Sequence, residues 1–396
     1  MPTDQRLQKL ASVLVHYSSK VKPGDVCGIS FDAAGLPLAN ELVKAVVKVG
    51  GHPFLLPRRT MIAEAMLEHA SEAQLSYSNP VMMHYINTVN VHFSLWAEEN
   101  TKTLSRFESK RVAAFQQGAK EFMKAFMERA ALDESDPRRL RWCGTQMPTH
   151  AHAQDAEMSL SQYEDFVFGA GLLHEADPVA AWQKVAKRQE VVRAYLQGKK
   201  ELRFRAPACD GHDGTDLRVD VSKATWVNCC GMENFPDGEV FAGPTLPKIG
   251  GFGVEGHVNY TFPAVYGGRE VEGVRLEFKA GRVVKASANK GEEYLLKMLD
   301  QDEGARNLGE IAIGTNYGIK QFSKNTLFDE KIGGTFHAAV GAGYPESGSD
   351  NESGLHWDMV CDLRPRTTKS GQIPGGTIEA DGKVFHKDGE FVIAGW

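Results

Sequence analysis

Cysteine is scarce in this 396-residue chain, with six residues at positions 27, 143, 209, 229, 230 and 361. No two of them form a Cys-x-x-Cys pair, and the adjacent Cys229 and Cys230 are too close for an ordinary structural bridge. So few thiols in so long a chain fit a reducing compartment, with the thiols buried rather than paired. Long apolar runs are missing too. No stretch reaches the roughly 18 residues of a membrane span, and Met1–Leu10 is polar and charged, unlike a secretory leader. Basic runs are absent and the net charge is −6, which argues against binding to nucleic acid or to an anionic membrane. Together these absences make the cytoplasm the expected location. There is no internal repeat or low-complexity tract. What remains is a globular composition, 42% hydrophobic and 24% charged, in a chain long enough for two or three domains of roughly 100–200 residues.

The two halves differ in pattern. Leu7, Leu10, Leu14 and Tyr17 follow a helical stripe, and Pro23-Gly24-Asp25 then turns into an apolar strand, Val26 to Phe31. A second helix carries Leu38, Leu42, Val46 and Val49 inward, and Gly50-Gly51 stop it. Strands are expected at Phe54–Leu56, Val91–Trp96 and Leu140–Gly144, with one long helix over Ser109–Arg129. Strand and helix in alternation predict an α/β domain with a mostly parallel sheet. The turn after the first strand, Asp32-Ala33-Ala34-Gly35, is not a glycine-rich phosphate loop, so nucleotide binding has no support. A further long helix spans Pro178–Gly198. Beyond it, where most of the 40 glycines fall, short β runs dominate: Thr215–Val221, Gly238–Phe241, His257–Phe262, Gly273–Phe278 and Arg282–Ala286. One more helix is expected at Glu292–Leu299. The second half therefore reads as a β-rich domain, mixed or antiparallel and barrel-like. The expected domains are residues 1–205 and 206–396.

Residues that could carry chemistry crowd between Glu330 and Asp358. His356-Trp357-Asp358, if extended, sends its His and Asp to one face. His337 lies in another β-like run, Thr335-Phe336-His337-Ala338-Ala339-Val340, and Tyr344 follows. Upstream, Glu239 and Glu310 sit among apolar neighbours, where an ionised carboxylate is costly unless paired or bound to a cation. Each residue alone reads as an edge-strand charge or a satisfied core histidine. Together, two histidines, three or four acids and a tyrosine favour a hydrolytic metal site, dinuclear because the acids exceed what one tetrahedral ion needs. Donors rich in oxygen with a minority of histidine suit Zn, Co, Mn or Mg. None of the cysteines is expected in the cluster. His150 and His152 form a separate His-x-His pair, read as a surface loop ahead of a metal site.

At these residues the chain resembles a known family. The runs FPDGEVFAGP (235–244), LGEIAIGTNYGI (308–319), LFDEKIGGTFHAAVGAGYPESG (327–348) and GLHWDMVCDLR (354–364) are similar to signatures of the thermophilic-type metallo-aminopeptidases, the family of aminopeptidases T, S and PepS. In the first half, AEENTKTLS (97–105) and PTHAHAQDAEMSLSQYEDFV (148–167) extend the resemblance over nearly the whole chain. It implies an α/β domain followed by a β-rich metal-binding domain, in a homodimer that takes peptides as substrates. It also implies release of N-terminal residues by a dinuclear, metal-activated water, with two divalent ions per chain. Carried over motif by motif, the implied ligands are Glu239, Glu310, His337, His356 and Asp358. Glu310 is the expected bridge, with Asp358 as a second candidate. Tyr344 is expected at the site, as an oxyanion donor or as a ligand. Glu330 matches the acid of the Leu-Phe-Asp-Glu run, and the general base stays open between Glu239 and Glu330.

Two other readings compete. A two-His, one-carboxylate triad would make the protein a mononuclear Fe(II) ring-cleaving dioxygenase of the same fold. In those enzymes the position resembling Glu310 is a His and the one resembling His337 is apolar, so this chain carries the aminopeptidase-type residue at both. A metal-stabilised binding protein is the non-enzymatic reading, and it predicts a coordinatively closed ion.

Overall fold

Apolar six-residue runs separated by amphipathic helices build a parallel sheet in the N-terminal part of the chain. β1 (Val26–Phe31) lies between β2 (His52–Pro57) and β3 (Val91–Trp96); β3 then pairs with β4 (Arg141–Gln146), and β4 with the short strand Asn234–Phe235. Every one of these pairings is parallel. Cys27, Ile29, Val91, Phe93 and Leu95 are wholly buried, as expected for strands covered on both faces. The computed structural model describes residues 4–369 and 371–396. It divides into one unit of Met1–Ala181 with Gly231–Pro236, and a second of Trp182–Cys230 with Asp237–Trp396.

Helices in the first unit follow their sequence stripes. Asp4 caps Gln5–Val13 by accepting from Arg6 N–H, and Leu7 and Leu10 are buried. The single long helix expected over 109–129 is in fact two, Ser109–Gln117 and Lys120–Ala130. The break falls at Gly118, where a Cβ would stand 2.5 Å from the Leu75 carbonyl oxygen. Helical periodicity continues across the break, so pattern alone hides it.

The second unit is antiparallel. One sheet has eight strands in the order Arg282–Ser287, Arg275–Lys279, Val254–Asn259, Thr215–Asp220, Glu201–Ala206, Thr377–Ala380, Lys383–Lys387 and Glu390–Phe391. Among the described residues no pairing joins its two ends. The other sheet centres on β5 (Glu239–Ala242), β6 (Leu308–Gly314) and β7 (Thr335–Gly341). β8 (His356–Trp357) and β9 (Val360–Asp362) both pair with β7. The two sheets share one core: Leu202, Phe204, Leu217 and Leu276 from the first meet Val240, Ile311, Ile313 and Phe336 from the second. The Phe204 and Phe336 rings pack with centroids 4.5 Å apart, tilted by 36°. Truncating either would cost about 3–5 kcal/mol. The helix Pro178–Leu196 sends Val192 and Leu196 into the same core, which is why the second unit starts upstream of its first strand.

Candidate metal centre

Two-residue alternation builds the centre. In β6, Ile311 and Ile313 point into the core, so Glu310, Ala312 and Gly314 face the other way. Ala312 stands opposite His337 on β7 and Phe241 on β5, and Gly314 stands opposite Glu239. Glu239, Glu310 and His337 therefore share one face, and the small residues between them leave that face open. Trp357 and Met359 are buried in the core, so His356 and Asp358 fall on its opposite side. β7 ends at Gly341, whose φ of +99° lies in the left-handed region. A Cβ there would meet the Leu355 carbonyl oxygen at 2.1 Å, so glycine is what lets the chain carrying His356 pair against this strand.

Three sets of side chains result, each with ligand-capable atoms within 4.8 Å of one another: Glu239, Glu310 and His337; Glu310, His356 and Asp358; Glu330, His337 and Asp358. His337 Nε2 lies 2.9 Å from Glu310 Oε1, 3.6 Å from Glu239 Oε2 and 3.8 Å from Asp358 Oδ1. His356 Nε2 lies 3.2 Å from Asp358 Oδ1. The outer nitrogens are held by main chain: His337 Nδ1 is 3.0 Å from the Glu330 carbonyl, and His356 Nδ1 is 2.7 Å from that of Ala342. A carbonyl only accepts, so each Nδ1 carries a proton and donates it, and in the neutral ring Nε2 presents a lone pair to the acids. This is the arrangement of a metal-binding imidazole.

The electrostatics point the same way. Burial pushes the Glu239 carboxyl up, against the pull of Lys331. Burial raises Glu330 likewise. Desolvation would lower both imidazoles, but the surrounding carboxylates win: His337 rises to about 10, chiefly through Glu310, and His356 to about 11, chiefly through Asp358. Asp358 is held below the carboxylate range by His356, despite its burial. Without a cation the protonated histidines supply the positive charge the acids need. Even so, Glu239 Oε2 stays buried without a hydrogen-bond partner, and Asp358 Oδ1 has only its ion pairs with His356 and His337. An orphaned carboxylate oxygen beside imidazoles whose Nδ1 is already engaged fits divalent cations.

The structure thus brings together Glu239, Glu310, Glu330, His337, His356 and Asp358. Tyr344 stands beside them, its ring 5.2 Å from that of His356 and 5.7 Å from that of Phe241. Desolvation and four nearby carboxylates raise its phenol, which stays protonated. His150 and His152 are elsewhere: they lie in the helix His150–Asp155 of the first unit, not in a loop, and His152 Nδ1 meets Thr149 Oγ1 at 2.8 Å. Two residues escaped the sequence reading. Lys331, wholly buried, contacts Glu330 and lies 3.6 Å from Glu239 Oε1. In sequence it reads as an ordinary surface Glu-Lys pair; the apolar Phe328 and Ile332 on either side were the available signal. Cys229 also comes within 4.8 Å of Asp237 and Glu239, correcting the expectation that no thiol approaches the cluster.

The model of the thermophilic metalloprotease family M29 matches residues 3–391 of the chain. The chain belongs to this family. Aminopeptidase AmpS of Bacillus subtilis (strain 168) is 31% identical to this M29 protein over 317 residues, covering 72% of each chain. Aminopeptidase 2 of Geobacillus stearothermophilus is 27% identical over 365 residues, covering 86% of this chain and 84% of the relative. Wild-type AmpT from Thermus thermophilus shares the fold, with a TM-score of 0.78 at 23% identity over 98% of this chain and 99% of that one. A 2,5-dihydroxypyridine dioxygenase from Pseudomonas putida KT2440 shares it more distantly, with a TM-score of 0.57 at 12% identity over 100% and 99%. The M29 protein is a metal-dependent peptidase with an α/β N-terminal part and an antiparallel C-terminal part. No helix among its described residues is long and apolar enough to cross a membrane.

Proposed function

We propose that this M29 protein is an aminopeptidase that removes N-terminal residues from peptides at a centre built for two divalent cations. One observation carries the reading: Glu310, whose carboxylate offers two oxygens, belongs to two ligand sets that share no other residue, and Asp358 likewise joins two sets as the second candidate bridge. Glu239 and His337 would hold one cation and His356 and Asp358 the other, with the Glu310 carboxylate common to both. Bound there, the ions supply Lewis acidity, activating water and polarising the scissile carbonyl.

The chain's own residues do the rest. Glu330, outside both of those sets and raised by burial, accepts the proton of the attacking water near neutral pH. Tyr344, a neutral phenol, donates to the oxyanion that develops on the carbonyl oxygen. Lys331 fixes Glu239 and Glu330 in place as a built-in cation. The oxygen-rich donors suit zinc, cobalt, manganese or magnesium. Peptide substrates complete the proposal, supported by the relatives' aminopeptidase names; the homodimer is carried over from the family resemblance and the cytoplasmic location from the few, unpaired cysteines.

The test is an anaerobic assay of metal-loaded protein on unblocked dipeptide amides. Turnover is expected, lost on chelation and lost when the substrate's N-terminus is acetylated. Oxygen-dependent Fe(II) chemistry without peptide cleavage would overturn the proposal.

A further inference from the structure

In the first unit, the chain leaves β1 to form β2 on one side of it and returns to form β3 on the other. Such a switch point, at the carboxyl ends of neighbouring strands, is where open parallel sheets bind ligands. Asp32 follows β1, Arg58 follows β2, Glu98 comes just after β3, and His152 lies in the helix after β4. These four converge. Asp32 Oδ2 accepts from Ala97 N–H at 3.2 Å, joining the ends of β1 and β3, and lies 3.1 Å from Arg58 Nε. Glu98 and His152 belong to the two N-terminal runs, 97–105 and 148–167, that carry the metallo-aminopeptidase resemblance, and the metal centre uses neither.

The proton pattern at this edge is mismatched. Thr149 Oγ1 donates to the Glu98 carbonyl at 2.7 Å, so it accepts from His152 Nδ1 at 2.8 Å. His152 therefore turns its Nε2 lone pair toward Glu98 Oε2, 3.6 Å away. Burial opposes charge on both, lowering the imidazole and raising the carboxyl. Two acceptors thus face each other. On the other side of the same carboxyl, Arg58 Nη1 donates to Ser94 Oγ at 2.8 Å. Its Nη2 stands 3.6 Å from Glu98 Oε1, beyond hydrogen-bond reach. Among the described residues nothing donates to His152 Nε2 and nothing accepts from Arg58 Nη2.

We infer that this edge of the sheet binds a free α-amino acid, with its ammonium between Glu98 and His152 Nε2 and its carboxylate on Arg58. An ammonium has donors for both acceptors, and a guanidinium suits a carboxylate. The two poles flank a single carboxyl group, so the ligand's two charges must lie close together. In an α-amino acid they leave the same carbon. In a peptide they stand apart, across at least one amide. Amino acids are also what the proposed peptidase releases, yet the site stands on its own residues and not on that reading.

Calorimetry on the full-length chain, metal-loaded and again after chelation, tests it. The probes are L-alanine, ethylamine, propionate and N-acetylalanine. Alanine should bind in both forms, and each of the other three at least about ten-fold more weakly, since each lacks one charged pole. Glu98→Gln should weaken alanine binding about ten-fold. His152→Phe keeps a ring against Tyr163 and removes the lone pair. It should have the same effect, and it is an independent variant should the first disturb folding. No saturable alanine binding to the parent, or binding that disappears on chelation, overturns the inference. So does binding that both variants leave within two-fold of the parent, or a single-pole probe that binds as tightly as alanine. Peptide turnover by the parent is read separately, and its absence overturns the aminopeptidase reading alone.

Discussion

Nε2 of His337 lies 2.9 Å from Oε1 of Glu310, with both side chains shut away from solvent. In the metal-free protein that contact and its neighbours keep both imidazoles protonated, His337 to about 10 and His356 to about 11. An unfolded histidine titrates near ~6.5. Raised folded values mean a stabilising contribution that is complete below about pH 6.5 and lost as pH climbs through the folded values. Cations need the neutral rings, so their binding expels protons and strengthens over the same interval. The melting temperature of chelated protein should therefore fall from pH 7 to pH 10, while the increment gained on adding metal grows. A flat profile for the chelated protein would contradict this protonation scheme.

Lys331 is a second handle on the centre. Removing one member of a buried ion pair costs about 3–5 kcal/mol, because the partner charge is left uncompensated. Lys331→Met should destabilise the chelated protein by that order in denaturant titrations. Metal should restore much of the loss, since bound cations replace the missing charge beside Glu239 and Glu330. Equal stability of variant and parent without metal would remove Lys331 from the electrostatics of the site.

Much of this was legible in the chain itself, because alternation has a period of two. Ile311 and Ile313 around Glu310's face, and Trp357 between His356 and Asp358, separate core from donors without any structure. What periodicity leaves out is partnership. That Ala312 sits opposite His337, and Gly314 opposite Glu239, is decided by how three antiparallel strands align. Lys331 hides for the same reason: beside its neighbour Glu330, its other acid, Glu239, is distant in sequence. The need for glycine at 118 depends on the Leu75 carbonyl, and the approach of Cys229 to Glu239 on the pairing of Val227–Cys229 with β5, where these two residues stand opposite each other.

Glu310→Gln and Tyr344→Phe separate a ligand from an auxiliary. The amide keeps the size of Glu310 but loses its charge, so metal content and turnover should fall together. Tyr344→Phe removes only a phenol. It should keep both metals and near-normal substrate binding, while turnover falls roughly 10²–10³-fold, the usual cost of one oxyanion donor. Metal content by elemental analysis and turnover on the same preparations decide each case. Loss of one metal in step with activity in Tyr344→Phe would make the tyrosine a ligand instead.

The central claim is a two-cation centre joined by Glu310, and titrating metal-free protein with cobalt or zinc tests it most directly. Hydrolysis of an unblocked peptide is followed against the number of ions bound per chain. The account predicts that activity reaches its plateau at two ions. Full activity at one ion, with no further rise at the second, would contradict it.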